Sequence, residues 1–312
     1  MAFRVRPEES MAHGLRRLAR KELSSAGEHL QRAKPPREEA IHEARKSVKK
    51  VRAIVHLVKS DNGRGLSGSK KRLRDANRVL SQSRDADAMN EILSKLLNRH
   101  PHLLSEHTRA RLLRQLSTHR DAVARTTARE GAWKGVADEL RAIKRTVKRW
   151  SQSHKEFGSL LPGLRVTHKR GRKAMARALD RGRAEQFHEW RKQIKALWYE
   201  LRLIEDSSAR IRKDIKALDQ AETALGDDHN VAVLCAYLSG AQAVTYDPPE
   251  IRNFRRSGDE YQQELRRQAI ASAKAIYAMP TGDFVRRVRK AWGNWDRTKR
   301  ASHSPARSRK KA

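Results

Sequence analysis

The chain has 312 residues, enough for one large domain or two small ones, and is 38% hydrophobic, 34% charged and only 5% aromatic. Its 70 Lys and Arg against 36 Asp and Glu leave a net charge of +34 and a pI near 11.1. That excess repels itself in a compact state and calls for a polyanionic partner: nucleic acid, an inorganic phosphate polymer or an acidic membrane surface. One cysteine, Cys235, rules out a disulfide framework.

In chain order, apolar residues recur at three- and four-residue intervals, while strand-like alternation is nearly absent. The periodicity predicts helices over 10–31, 37–59, 69–82, 84–98, 105–129 and 133–155. It predicts a second set over 165–181, 184–206, 208–225, 229–240, 251–278 and 282–295. Breaks are expected at 34–36, 61–63, Pro101, 161–163 and 247–249, where Pro, Gly and Asn punctuate the pattern. Residues 297–312, ending SHSPARSRKKA, read as a basic, disordered tail. No run of about 18 apolar residues suggests a membrane span, and MAFRVRPEESMAHGLRR lacks a signal-peptide core, so a cytoplasmic location is expected.

A short phrase occurs twice: HEARKSVKKVR at 42–52 and HEWRKQIKALW at 188–198, 146 residues apart. The following segments also match, at an offset of 145, with Leu73 on Leu218 and Leu80 on Leu225. This is a duplication rather than a short-period array. The expected fold is all-α, two helical bundles related by an internal pseudo-two-fold repeat, with residues 1–156 and 157–296 as the halves.

On a helix, His42, Arg45, Lys46 and Lys49 fall in one sector, opposite Ala44, Val48, Val51, Val55 and Val58. His188, Arg191, Lys192 and Lys195 repeat the pattern opposite Trp190, Ile194, Leu197 and Leu201. An ordinary solvated face mixes both signs, because like charges one turn apart repel. Here the ladder is cationic apart from the flanking Glu43 and Glu189, and it recurs with its histidine in place. Further cations stand in rows on other helices: Arg16 and Arg20, then Lys71, Arg74 and Arg78, then Arg170, Lys173 and Arg177, with a thinner row of Lys213 and Lys216. Packed about a two-fold, these ladders are expected to line one basic central groove or channel. Arginine forks would grip phosphate oxygens, lysines would act as point charges, and counterion release would drive binding.

The paired H-x-x-R-K-x-x-K helices, each followed by a leucine-spaced segment ending in SRDAD or GDDHN, resemble the CHAD family, the conserved histidine α-helical domain. The likeness extends over roughly residues 10–295 and is especially close at HKRGRKAMARAL and FHEWRKQIKALWYELRLI. It implies two helical bundles about a pseudo-two-fold, binding of inorganic polyphosphate on a basic central surface, and association with polyphosphate granules. The motif positions carried over are His42, Arg45, Lys46, Lys49, His188, Arg191, Lys192 and Lys195. The second half departs from the first where His229-Asn230 stand in place of Arg84-Asp85. Relatives that add a triphosphate-tunnel domain carry an E-x-E-x-K strand. The sequence has none, which favours a standalone, non-catalytic binding module without a cofactor.

Two rivals stand beside this reading. Charge alone would support weak, non-specific nucleic-acid binding, but single-strand binders add aromatic platforms, and the few aromatics include core-side Trp190. A phosphate-related enzyme is the other. His-Glu-x-x-Arg at 42 and 188 places Arg where the zinc motif H-E-x-x-H has its second ligand. Asp85, Asp87, Asp227 and Asp228 read as helix caps rather than metal ligands. If His42 and His188 meet phosphate as imidazolium, affinity should strengthen as pH falls through about 6.5, or lower where neighbouring cations oppose protonation.

Overall fold

The computed structural model describes residues 3–6, 8–32, 38–58, 67–129, 132–148, 150, 156–239 and 248–303. Every regular element among them is helical. The first five helices are α1 (Met11–Arg32), α2 (Glu38–Val58), α3 (Ser67–Arg99), α4 (Glu106–Arg129) and α5 (Ala132–Val147). The next five are α6 (Leu161–Arg181), α7 (Ala184–Arg202), α8 (Ala209–Ser239), α9 (Pro248–Ala278) and α10 (Thr281–His303). Short 3-10 turns precede α6 and follow α7.

Packing within the two sets follows one scheme. Helix α1 packs on α2 and α5, as α6 packs on α7 and α10; α2 packs on α3 and α3 on α4, as α7 packs on α8 and α8 on α9. Counterparts also meet across the molecule, α2 against α7 and α3 against α8. The apolar stripes that the duplicated phrase predicts face inward: Ala44, Val48, Val51 and Val55 in α2, and Trp190, Ile194, Leu197 and Leu201 in α7, are all buried. Burying each such aliphatic or aromatic side chain contributes about 1.5–3 kcal/mol.

One core cluster draws side chains from both sets, running from Phe3 to Val288. A second joins the distal ends of α3 and α8 to α4 and α9 around Leu93, Leu112, Leu234 and Phe254. The segment before α1 crosses to the second set. The Val5 amide donates to Leu203 O at 3.0 Å, Arg4 pairs with Asp206 at 2.7 Å, and Phe3 packs edge-on against Tyr199.

Several boundaries differ from the periodicity reading. The segments 69–82 and 84–98 form one 33-residue helix, α3, and 208–225 and 229–240 form one 31-residue helix, α8. Neither junction contains proline, and pairing of α3 along α8 outweighs the modest cost of glycine or aspartate inside a helix. The aspartates there are therefore not caps. Asp227 pairs with Lys95 of α3 at 2.6 Å, and buried Asp228 receives Arg266 of α9 at 2.7 Å and Gln262 at 3.0 Å. Asp85 and Asp87 likewise lie inside α3.

Residues 161–163, read as a break, instead open α6, because Pro162 near its start needs no amide partner there. Pro248 and Pro249 open α9 in the same way. Helix α5 ends at Val147 rather than 155, α7 at Arg202 rather than 206, and α10 continues to His303. Of the disordered tail expected over 297–312, residues 297–303 instead continue helix α10, and those from 304 onward lie outside the described residues, as do the expected breaks at 34–36 and 61–63. No helix among the described residues is long and apolar enough to cross a membrane.

Helix α6 ends at Gly182, whose φ of +63° is the left-handed cap that glycine adopts without strain. At its other end α6 touches α2 through backbone: a Cβ on Gly163 would lie 2.6 Å from Leu57 O and 2.8 Å from Leu57 Cα. Gly163→Ala must push these helices apart, an overpacking cost of about 1–3 kcal/mol. The expected result is a melting temperature lower by roughly 2–6 °C in calorimetry, with helix content unchanged.

Candidate polyanion-binding site

The α2–α7 contact sets the two copies of the phrase face to face. Arg45 and Lys49 from α2, and Arg191 and Lys195 from α7, are each half-buried there and act on one another electrostatically. A carboxylate stands beside the two cations of α7. Glu222 of α8, 8% exposed, accepts hydrogen bonds from Arg191 Nε at 3.1 Å and from Lys195. Burial pushes Glu222 up, but Lys195, Arg191 and Lys49 outweigh it and hold the carboxyl below its usual range.

Lys49 has no such pair: among the described residues no acid lies within ion-pair distance of it. Burial, then Lys195, Arg45 and Arg191, lower its pKa to about 6, against a smaller opposing pull from Glu222. Lys195 is also lowered, chiefly by burial, against an opposing pull from its bond to Glu222.

The other motif lysines point elsewhere. Lys46 pairs with Glu43 at 2.8 Å and Lys192 with Glu189 at 2.5 Å, each on its own helix, and all four are at least partly exposed. Lys50 is tied to α1 by Glu22 at 2.9 Å, which also receives the Ser47 hydroxyl at 2.7 Å.

The two histidines have different surroundings. His42 is exposed, whereas His188 is half-buried against His229, with ring centroids 4.1 Å apart. Its Nδ1 has no hydrogen-bond partner. Burial, His229, Lys192 and Arg191 hold its pKa at about 4, so at neutral pH the ring is neutral.

The equivalent arginines meet equivalent places on the next helix. Arg45 Nη2 donates to Ser81 Oγ of α3 at 3.2 Å. Arg191 lies over Gly226 of α8, where a Cβ would come within 2.9 Å of its Nη2. Ser81 and Gly226 are 145 residues apart, the offset that also aligns Leu73 with Leu218. Glycine at 226 leaves room for the guanidinium to reach Glu222 one turn earlier.

The outlying cations are more scattered than a single groove requires. Arg16 reaches Trp150 O at 3.5 Å, beside α5. Arg20 is exposed on α1. Arg74 and Arg78 are exposed on α3 and share Asp75 at 3.7 and 3.9 Å. Arg170 does reach the seam between the sets, with Nη1 3.2 Å from His56 Nε2 of α2. Arginine can only donate, so His56 Nε2 accepts and Nδ1 carries the proton, directed at Glu200 Oε1 3.2 Å away. Thr167 also donates to that oxygen, at 2.8 Å. Arg177 stays exposed and bonds the Lys173 carbonyl at 3.3 Å.

Of the residues named from sequence, Lys173 alone lines a cavity of about 710 Å³ where α6 meets α9 and α10, with Arg165, Lys169, Arg172 and Lys274 around it. Lys213 and Lys216 are exposed on α8. Cys235 packs against the second cluster, and burial pushes its thiol up to about 11. Among the described residues no group of three or more His, Cys, Asp and Glu side chains is placed to hold a metal ion.

Sequence reasoning missed Glu222, His56 and Glu200. Glu222 was visible as an acid at a register position of the repeat; His56 and Glu200 carried no local signal.

Fold and site together define an all-α protein built from paired five-helix sets with a cationic seam between duplicated helices. A family model for the CHAD domain matches residues 17–239, and the chain belongs to that family. The crystal structure of the CHAD domain from the plant Ricinus communis superposes with a TM-score of 0.65 at 18% identity, covering 90% of this chain and 96% of that one. PptA from Streptomyces chartreusis gives 0.58 at 16% identity, covering 91% and 100%. Both likenesses concern the fold. No curated protein matches the chain.

The folded chain holds Lys49 less protonated than the unfolded chain does between about pH 6 and the ordinary lysine value of 10.5. Its contribution to stability is therefore least favourable in acid and improves as pH rises through that window. In calorimetry the wild-type melting temperature should climb by up to about 2 °C per pH unit relative to Lys49→Met. Parallel pH profiles would show that Lys49 is not held in a strained charge state.

Proposed function

We propose that the chain binds inorganic polyphosphate across the α2–α7 seam and acts as a non-catalytic binding module that associates with polyphosphate granules in the cytoplasm. The observation that carries this reading is the imbalance of charge at the seam. Arg191 and Lys195 share the carboxylate of Glu222, while Arg45 and Lys49 meet them from the other copy of the phrase, Lys49 with a pKa of about 6 and so able to gain charge when an anion arrives. A polyanion supplies the missing negative charge, and its gain grows because the cations already repel one another in a half-buried setting. Arginine forks can take phosphate oxygens bidentately, and the lysines add charge without demanding geometry. The exposed His42, Arg74 and Arg78, and Arg170 with its neighbour Arg177, extend the cationic surface for a longer chain.

The aromatic residues favour polyphosphate over single-stranded nucleic acid. Every described Phe, Trp and Tyr is buried or only partly exposed, which gives bases little on which to stack. Weak nucleic-acid binding through charge alone remains compatible with the net +34.

A competition at near-physiological salt tests the reading, with long-chain polyphosphate, single-stranded RNA and duplex DNA at equal phosphate concentration. Polyphosphate is expected to win, and reversal of Arg45, Lys49, Arg191 and Lys195 to glutamate is expected to weaken it at least ~100-fold. Equal competition with little effect of the variant would make the protein a diffuse polycation binder instead. A second measurement concerns protons. A bound polyanion favours protonated Lys49, so binding at pH 7–8 should take up a proton, seen in titration calorimetry as a dependence on the buffer's ionisation heat. Lys49→Met should abolish most of that uptake.

A further inference from the structure

The two copies of the cationic phrase face helices that differ where it matters. At the 145-residue offset that pairs Ser81 with Gly226, Glu222 of α8 corresponds to Asn77 of α3. Each stands four residues before the position its arginine contacts, so Glu222 and Asn77 occupy the same turn relative to Arg191 and Arg45. In the second set the carboxylate is in place, bonded to Arg191 and Lys195. In the first set the amide has no charge, its Oδ1 is buried without a hydrogen-bond partner, and Lys49 has no acid within reach.

The asymmetry continues along the same faces: Arg74 and Arg78 of α3 correspond to Asp219 and Thr223 of α8. The copies share their cations, and only the second carries the acid.

We infer that Glu222 is an internal competing anion: it occupies the Arg191–Lys195 half of the seam in the absence of ligand, so that a polyanion engages the Asn77 side first and must displace Glu222 to span both. The charges say why the fold keeps it. Without Glu222 the seam would hold Arg191 and Lys195, half-buried beside Arg45 and Lys49, without the carboxylate that bonds them both. Such a cluster is costly in a compact chain, and one acid relieves it at the expense of affinity. The ligand then substitutes for the acid, with the protein more stable in either state than with the seam empty.

The inference rests on the α2–α7 seam being the polyanion site, and a pair of opposite substitutions tests it. Glu222→Gln removes the competing charge from the second set; Asn77→Glu installs one in the first. Calorimetric titration with long-chain polyphosphate, and melting curves with and without it, are read for wild type and both variants. Glu222→Gln is expected to melt about 5 °C lower without ligand, to bind about tenfold tighter, and to gain more melting temperature on saturation than wild type does. Asn77→Glu is expected to melt at or above the wild-type temperature and to bind about tenfold more weakly.

If Glu222→Gln binds no tighter while its circular dichroism is native, Glu222 holds Arg191 and Lys195 in position for the ligand, and the inference is overturned. Should that variant fail to fold, Asn77→Glu decides alone, and unchanged affinity there overturns it. The polyphosphate reading fails separately, when wild type prefers RNA or DNA; the same two variants then give the same expected order with that polyanion, or refute the competing-anion role outright.

Discussion

Like charges gathered at one seam organise much of this molecule. Helices α2 and α7 each bury an apolar stripe, Val48 and Val51 in one and Ile194 and Leu197 in the other, in one shared core, and their contact brings Arg45, Lys49, Arg191 and Lys195 together. Apolar burial drives the approach, and electrostatic repulsion opposes it. The compromise shows in the details: Glu222 bonded to two of the cations, Lys46, Lys50 and Lys192 drawn off to their own acids, and Lys49 held at a depressed pKa.

Support for the seam comes from elements around it. Gly163 lets α6 approach α2 at backbone distance, and Arg170, His56, Glu200 and Thr167 form a chain of polar contacts through the same region, with Glu200 Oε2 left buried without a partner. Glu200 is buried, and desolvation raises its pKa, while hydrogen bonds from His56 and Thr167 oppose the rise. The N-terminal segment adds Phe3, Arg4 and Val5 against Tyr199, Asp206 and Leu203. Two helical sets that share one core and a polar clasp behave mechanically as one body, so the seam cannot open without losing apolar burial elsewhere.

Duplication explains why the site has two similar halves, and divergence explains why they are not equal. The buried positions changed within apolar limits: Ala44 opposite Trp190 in register, Val48 opposite Ile194, Val51 opposite Leu197. The charged positions changed in sign or were lost: Asn77 against Glu222, Arg74 against Asp219, Arg78 against Thr223. Core positions answer to volume, and surface positions answer to the charge of whatever approaches.

Helix type, the inward stripes and the cationic phrases were readable from residues alone, because 3.6-residue periodicity is a local property of the chain. His42 through Lys49 and His188 through Lys195 were found this way, together with the repeat that relates them. Helix ends were less readable: SRDAD and GDDHN look like caps locally, but long-range pairing of α3 with α8 carries both helices straight through. Which cations converge was also beyond local pattern. Arg16 and Arg45 look alike on a helical wheel, yet one reaches Trp150 O beside α5 and the other reaches Ser81 near the seam. The pairing of Lys195 with Glu222, the isolation of Lys49 and the clasp of His56 with Arg170 follow from which helices touch, and contacts between residues 27 to 114 positions apart are set by packing of the whole chain rather than by any window of it.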